Sequence, residues 1–587
     1  MKKGFGFTTL CLLIMGLIIG AGPASGEPWK FGVMSDTQWT APDDPAKQNP
    51  NGVAVSIINQ INQQFINHGV KFVIQVGDLT ENGYDADIAT RAAAAQPLID
   101  AGIGFFPMRG NHETYAKPDG SNNYGITQFR ISFPQTQNGT FTKSNSNTFA
   151  LGSNFNSPSL AGSYPDDLKG MSYSFDFGTA GNNVRFVIID DWATGNKRVD
   201  AAGYPYGYSI ADQQGWISDR LNILTRGTEH AFVFSHQPLM AENHQDSLFN
   251  GYTNENPGMQ NAFFASLQKN LAKYYISGHD HIHQRSIIAS PNGAFKIQEL
   301  IGASNSSKFY TPKGLIASCT PPGGTLTPDC WFGQKRAETS LSQERYTVGY
   351  YIFTVDGPRV TVDFFSDDHG NWASDNCYPD GATPQSCTTA GNHITPAFNF
   401  VKKETWGYSL NGHEYLVSQG ELYTSVVDSF ENTIARILGG TNGSTAQDYT
   451  LRPLTRAVNT GWTDVATWRN EFFLRWLKKS PFDFASNVLS LWGMADLGSD
   501  HADVYALSMT YEGIPLLRGD FGIATKDTNG KWVNAVDKNI ETGSKKFVVG
   551  PWKPEYGLGT YGIDLKAGTA WAVIDYNGDF AVGRFEK

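Results

Sequence analysis

Five apolar runs in this chain are each followed at once by side chains that can hold a metal. "FGVM" leads to Asp36 and Gln38, "FVIQV" to Asp78, and "GFFPM" to "RGNHE" with Asn111 and His112; "AFVF" leads to His236, and "KYYI" to "SGHDH" with His279 and His281. Carboxylate, amide oxygen and imidazole together suit divalent ions, and an Asn or Gln oxygen adds a ligand without adding negative charge. Each signal is weak singly, because a strand-terminal Asp commonly caps a helix or forms a turn and a lone His is commonly structural. Five in succession point to one crevice where the groups converge on metal.

The elements that must position them follow from periodicity. From Phe31 to His281 short apolar runs alternate with amphipathic stretches, the pattern of an α/β layered domain. The strand candidates are Phe31 to Met34, Phe72 to Val76, Gly104 to Met108, Val184 to Ile189, Ala231 to Phe234 and Lys273 to Ile276. Between the first two, Ile57, Ile58, Ile61 and Phe65 at 3/4 spacing predict a helix ending at Gly69 with a left-handed cap, completing a βαβ unit. In open α/β sheets ligands bind beyond the carboxyl ends of the strands, where all these polar residues fall. Residues 116–182 are rich in Asn, Ser, Gly and Thr with little periodicity and read as an insertion over one face of the sheet. Two β-rich runs around Asp356 and Gly357 predict a hairpin that closes the domain near residue 366.

The ordered set "SDTQ", "VGD", "RGNHE", His236 and "GHDH" resembles the calcineurin-like metallophosphoesterase superfamily over roughly residues 29–366. The resemblance implies a four-layer αββα sandwich with two divalent ions at the strand ends. It implies Asp78 as the bridging ligand, Asp36 and His281 at one metal, Asn111, His236 and His279 at the other, and His112 protonating the leaving group. Two ions about 3.5–4 Å apart can hold a phosphoryl oxygen and a bridging water that supplies hydroxide near neutral pH. An imidazole beside two cations titrates low, so His112 needs an acidic neighbour, Glu113 being one candidate, or the substrate dianion to stay protonated.

Gln38 stands where the family places a histidine on the first metal. An amide oxygen binds transition metals more weakly than imidazole and favours harder ions, so manganese is expected first, with iron, zinc or magnesium as alternatives. Gln38 either coordinates or hydrogen-bonds a metal-bound water. "SGHDHIHQR" is similar to the purple acid phosphatases, but Glu81 occupies the position of their metal-binding tyrosine, so no ferric chromophore is expected. His244 and His283 are read as lining the pocket or facing solvent, and Arg109 as touching phosphate or structural; Asp190 and Asp191 end a strand whose family counterpart is usually not a ligand.

The chain's 587 residues suffice for two to four domains. Lys2 and Lys3, an apolar stretch around Leu10 to Ile19 and small residues to Gly26 read as a secretory signal over residues 1–26, cleaved to give a secreted or periplasmic protein. No later segment is long and apolar enough to span a bilayer. The formal charge of −11, with no compact basic run, argues against general nucleic-acid binding. After export Cys319, Cys330, Cys377 and Cys387 remain and allow three disulfide pairings; the short-range one joins Cys319 to Cys330 and Cys377 to Cys387, with a zinc site as the alternative.

The metallophosphoesterase domain is expected over residues 27–400 and a β-rich, sandwich-like accessory domain over 404–587, which holds eight of the fourteen tryptophans. In the latter, helical content is expected around Ser429 to Leu438 and Trp468 to Leu477, and a hairpin at Asn577 and Gly578. Its aromatics either form core or line a glycan-binding face, and docking to an envelope component is compatible with either. The expected function is hydrolysis of a small phosphomonoester or phosphodiester through a metal-bridging hydroxide. The alternatives are a phosphodiesterase acting on nucleotides or phospholipid headgroups, and a non-catalytic surface or binding protein whose metal site has decayed from Gln38 onward.

Overall fold

The computed structural model describes residues 26–585 except 41–43, 45–46, 115–124, 159–167, 192–209, 245–247, 249–256, 311, 313–337, 369–394, 396, 423, 425, 444–445, 466–482, 498, 514 and 516–518. The signal segment, the four later cysteines and the stretch from Trp468 to Leu477 lie outside the described residues.

Alternation of side chains along the first strands builds the layers. In β1 (Trp29–Met34), Trp29, Phe31 and Val33 point into one core while Met34 points into another. β2 (Phe72–Gln75) and β3 (Gly104–Pro107) continue the sheet in parallel, and β14 (Gly349–Asp356), β15 (Arg359–Asp367) and β16 (Phe400–Ser409) extend it antiparallel from the other edge of β1. The second sheet runs in the order β13 (Glu338–Glu344), β11 (His283–Ala289), β12 (Lys296–Ile301), β10 (Ala272–Ser277), β9 (His230–Ser235), β8 (Asn182–Ile189), β7 (Tyr173–Thr179) and β6 (Ser153–Asn156). A short ribbon, β4 (Thr140–Thr142) with β5 (Thr148–Ala150), stands apart.

Aromatic rings fill the space between the sheets: Phe31 stacks on Phe353 at 4.7 Å and meets the edge of Phe186 at 5.1 Å. Outside them, α1 (Val55–His68) and α2 (Asp85–Asp100) cover the first sheet, and α5 (Ile210–Leu221) and α6 (Pro257–Gln268) the second. The result is a four-layer αββα sandwich, with α3 (Ile126–Ser132) and α4 (Gln135–Asn138) short additions near β3. The helix after β1 ends as its sequence predicts, at Gly69 with φ 66°.

Two sequence expectations for this part change. The stretch taken as insertion to residue 182 contains β6 and β7, of which β7 pairs along its whole length with β8 and buries Tyr173 and Phe175. The sheet does not close near residue 366, because β16 adds a further strand that runs across the expected break between 400 and 404.

The C-terminal region is a β-sandwich. One sheet holds β17 (Glu414–Val417), β20 (Arg456–Thr463), β22 (Val488–Trp492), β29 (Gly578–Arg584), β24 (Phe521–Lys526) and β25 (Trp532–Asn534), with β21 (Asp483–Phe484) on β29. The other holds β18 (Val427–Phe430), β19 (Thr433–Gly439), β23 (His501–Thr510), β28 (Thr569–Tyr576), β27 (Thr560–Asp564) and β26 (Lys546–Val549). Trp462, Leu507, Ile574 and Val582 pack between them. Residues 429–438 are strand, not helix: Thr433, Ala435 and Ile437 are buried in period-two alternation. Asn577 and Gly578 form no hairpin, because neither residue has positive φ as a type I′ turn requires; β28 and β29 instead belong to opposite sheets, and the dipeptide is the corner between them. Trp406, Trp462, Trp492 and Trp571 are core residues.

Candidate metal centre

The strand ends meet at one edge of the two central sheets. There the backbone adopts left-handed angles at four non-glycine residues, Asp36 (φ 44°), Asp78 (φ 43°), His279 (φ 75°) and His281 (φ 53°). Each such residue costs on the order of 1 kcal/mol or more and persists where its surroundings over-determine it, as at functional sites. The motif glycines are explained by contact: a Cβ on Gly77 would lie 2.2 Å from His236 Nδ1, and one on Gly110 would lie 2.0 Å from Asp78 Oδ1.

Two ligand groups result. Asp78, His236 and His279 form one, and Asp36, Asp78 and His281 the other, with the ligand atoms of each group within 4.8 Å of one another. All five residues are buried, and Asp78 belongs to both groups. His236 donates from Nδ1 to the Val76 carbonyl at 2.9 Å, leaving Nε2 open 3.2 Å from Asp78 Oδ1 and 3.2 Å from Asn111 Oδ1. His281 likewise donates from Nδ1 to the Lys308 carbonyl at 2.7 Å, with Nε2 3.4 Å from Asp36 Oδ1. Asp36 also accepts from the Ser35 hydroxyl and from the His279 amide at 3.1 Å.

Gln38 joins this set through its nitrogen, which donates to Asp78 Oδ2 at 2.6 Å, while its buried Oε1 has no hydrogen-bond partner. The electrostatics ask for cations. Burial pushes Asp36 up to about 7. Burial also opposes ionisation of Asp78, but His236 and His112 outweigh it and hold Asp78 well below the usual carboxylate range. Burial pulls His236 down, yet Asp78 and Asp36 carry it up to about 10. Two buried carboxylates, imidazoles with open Nε2 atoms and an orphaned amide oxygen are a donor set that fits divalent ions.

The sequence model of the calcineurin-like phosphoesterases matches residues 30–283, the stretch that supplies every one of these groups. Residues 30–283 are a calcineurin-like phosphoesterase domain. No curated protein matches the chain. Among solved structures it is similar to GAP50, the anchor in the inner membrane complex of Plasmodium, at 13% identity and TM-score 0.31, over 58% of this chain and 84% of that one. It is similar to a dimetal phosphatase from Danio rerio at 14% identity and TM-score 0.33, over 57% of this chain and 96% of that one. A third is a purple acid phosphatase from yellow lupin, at 15% identity and TM-score 0.36, over 62% of this chain and 53% of that one.

The phosphoesterase family typically holds two divalent metals, and the two groups sharing Asp78 are its candidate ligands here. Around them the domain adds side chains that sequence reasoning missed or placed differently. His112 donates its amide to Asp78 Oδ1 at 3.1 Å and places Nδ1 2.5 Å from the Glu81 carbonyl, so Nε2 faces the site. Its acidic neighbour is Glu81, whose Oε2 lies 3.5 Å from Nδ1, and not Glu113. Glu113 instead accepts from the amides of Thr80 and Gly110 and braces the two loops against each other. Burial pushes His112 down to about 4 and Glu81 up to about 7.

Lys308 and Tyr310 were not anticipated. They follow β12, whose carboxyl end "LIGASNSS" reaches the same edge as the other strand ends, a signal the sequence did offer. Lys308 lies 5.1 Å from the centre of the Tyr310 ring, which in turn meets the His281 ring edge-on at 5.0 Å. His244 lines the site with its ring 4.1 Å from that of His279. His283 does neither thing expected of it: it stacks on Phe364 at 4.0 Å inside the aromatic core. Arg109 makes a buried two-pronged pair with Asp190 at 2.7 and 2.9 Å, a structural contact. Asp191 accepts from the Ser235 hydroxyl.

Proposed function

We propose that the chain is an exported phosphoesterase that hydrolyses a small phosphomonoester or phosphodiester at a two-metal centre. The observation that carries this reading is the pair of buried ligand groups sharing Asp78, at the strand ends of a domain matched by the phosphoesterase family. Asp36 and His281 would hold one ion, Asn111, His236 and His279 the other, and Asp78 both. Gln38 serves the first, through its oxygen or through water. When bound, such a pair of ions polarises a phosphoryl oxygen and lowers the pKa of water enough to supply a nucleophile near neutral pH.

The protein's own groups do the rest. The Val76 and Lys308 carbonyls fix the tautomers of His236 and His281 so that Nε2 faces inward. His112 is tied at Nδ1 to Glu81 and presents Nε2 as the site from which a proton reaches the leaving oxygen. With its pKa pushed down to about 4, it carries that proton only when the substrate's negative charge and Glu81 favour the imidazolium. Export is supported by the sequence of residues 1–26, and among the described residues no helix is long and apolar enough to cross a membrane.

The test is hydrolysis of p-nitrophenyl phosphate and of its bis ester by the mature chain, stripped of metal and reloaded with manganese. Metal-dependent turnover is expected, with Asp78→Asn at least about 100-fold slower. A folded protein that turns over neither ester with any divalent ion would sink the proposal. The ester preferred separates monoesterase from diesterase.

A further inference from the structure

Beyond the ligands, one chain of contacts joins the metal centre to the C-terminal region. Arg452, between β19 and β20, lies against three carboxylates that are themselves buried: Nε bonds Asp448 Oδ2 at 2.6 Å, Nη1 bonds Glu338, and Nη2 is 3.3 Å from both oxygens of Glu242. Burial alone would drive a guanidinium toward neutrality, but Glu338, Glu242 and Asp448 together raise its pKa above the ordinary value. Glu338 starts β13 at the edge of the second sheet, and Glu242 sits in the loop that follows His236.

That loop ends on the ligand motif. The backbone amides of Glu242, Asn243 and His244 all donate to the Asp280 carboxylate, the last two at 3.1 Å, and His244 Nδ1 approaches it at 2.6 Å. Asp280 lies between His279 and His281, which offer ligand atoms to different metal groups and both hold left-handed backbone angles. A fully buried carboxylate clamped by three amides fixes such a strained pair in place. Remove Arg452, and Glu242 is left as a buried charge beside Glu338, so the loop that carries those three amides must shift.

We infer that Arg452 is a positioning residue of the metal centre, acting through Glu242 and the 242–244 loop on Asp280 and so on His279 and His281. The inference rests on the two-metal reading and gives the C-terminal region a part in the site: the phosphoesterase domain does not hold its own ligand motif alone.

The experiment uses the full mature chain, stripped of metal and titrated with manganese(II) alone, with uptake followed by electron paramagnetic resonance. Arg452→Met is expected to weaken manganese binding about 10- to 100-fold, as loss of groups that orient metal ligands does, and Arg452→Lys to recover part of it. Turnover of p-nitrophenyl phosphate by Arg452→Met should return as manganese is raised, which general loosening of the fold would not produce. Arg345→Met removes a different contact at the same junction, the guanidinium 3.3 Å over the Tyr449 ring, and should leave manganese affinity unchanged. Glu242→Gln keeps the loop's shape and reads the same link should Arg452→Met fail to fold. Unaltered affinity in Arg452→Met, or in Glu242→Gln where the former is unfolded, overturns the inference, as does an equal loss in Arg345→Met. A wild-type chain that takes up no divalent ion overturns the two-metal reading and this inference with it.

Discussion

Gln38 holds its amide nitrogen on Asp78 and leaves its oxygen buried without a partner. If that oxygen serves a metal, replacing the amide with imidazole should strengthen binding of softer ions: Gln38→His is expected to bind zinc about tenfold more tightly than wild type by competition titration. Unchanged affinity would assign Gln38 to water rather than to metal. His112 makes a second prediction, because a proton donor matters most where the leaving group is poor. His112→Asn should lose about 100-fold or more with an alkyl phosphate and much less with p-nitrophenyl phosphate, and equal losses would remove it from proton transfer. The convergence of Asp78, His236, His279 and His281 was legible in the sequence because each directly follows an apolar strand. Glu81, Lys308 and Tyr310 were not, since their relation to the site is made by loops that carry no periodicity. Glu113 was misplaced for a related reason: adjacency to His112 says nothing of direction, and its carboxylate turns away to Thr80 and Gly110.

Among the elements, β9 is tied to the opposite sheet by a single imidazole. His230 Nδ1 lies 2.9 Å from the Tyr408 hydroxyl on β16, and Nε2 lies 2.8 Å from the Gly357 carbonyl at the β14–β15 turn. Burial pushes its pKa down to about 4. Between about pH 6.5 and pH 4 the unfolded chain therefore takes up a proton that the folded chain refuses, and stability falls as pH drops through that window. The shift corresponds to a loss on the order of 3 kcal/mol. Urea denaturation across pH 7 to 4 should show it, and His230→Gln should flatten the dependence; an unchanged slope would mean that other groups set it. The hairpin at Asp356 and Gly357 was readable because its dipeptide and its flanking alternation agree, and β14 and β15 pair there as expected. Asn577 and Gly578 misled because a dipeptide signals a tight turn only when its backbone takes positive φ, and here the two flanking strands found partners in different sheets. Residues 429–438 misled because Ile434, Ile437 and Leu438 also satisfy helical spacing; burial across the sandwich decided for period two.

For the whole molecule, the β-rich region is stitched to the phosphoesterase layers at several points besides Arg452. The Thr455 amide donates to the Ser340 carbonyl at 2.8 Å, the Tyr449 amide to Gln343 Oε1 at 2.6 Å, and Arg359 to the Ser490 hydroxyl at 3.0 Å. Calorimetry of the metal-free chain is expected to show both parts melting in one transition, and two transitions separated by about 10 °C or more would mean that the junction transmits little. The corner at Asn577 has a consequence of another kind. β29 takes a central place in its sheet, between β22 and β24, although it is encoded after all the other strands described. Neither neighbour can find its partner until residues 578–584 have left the ribosome, so this sandwich stays open throughout synthesis of nearly the whole chain. A polypeptide that delays its own closure in this way is well suited to being threaded through a narrow translocation pore before it folds.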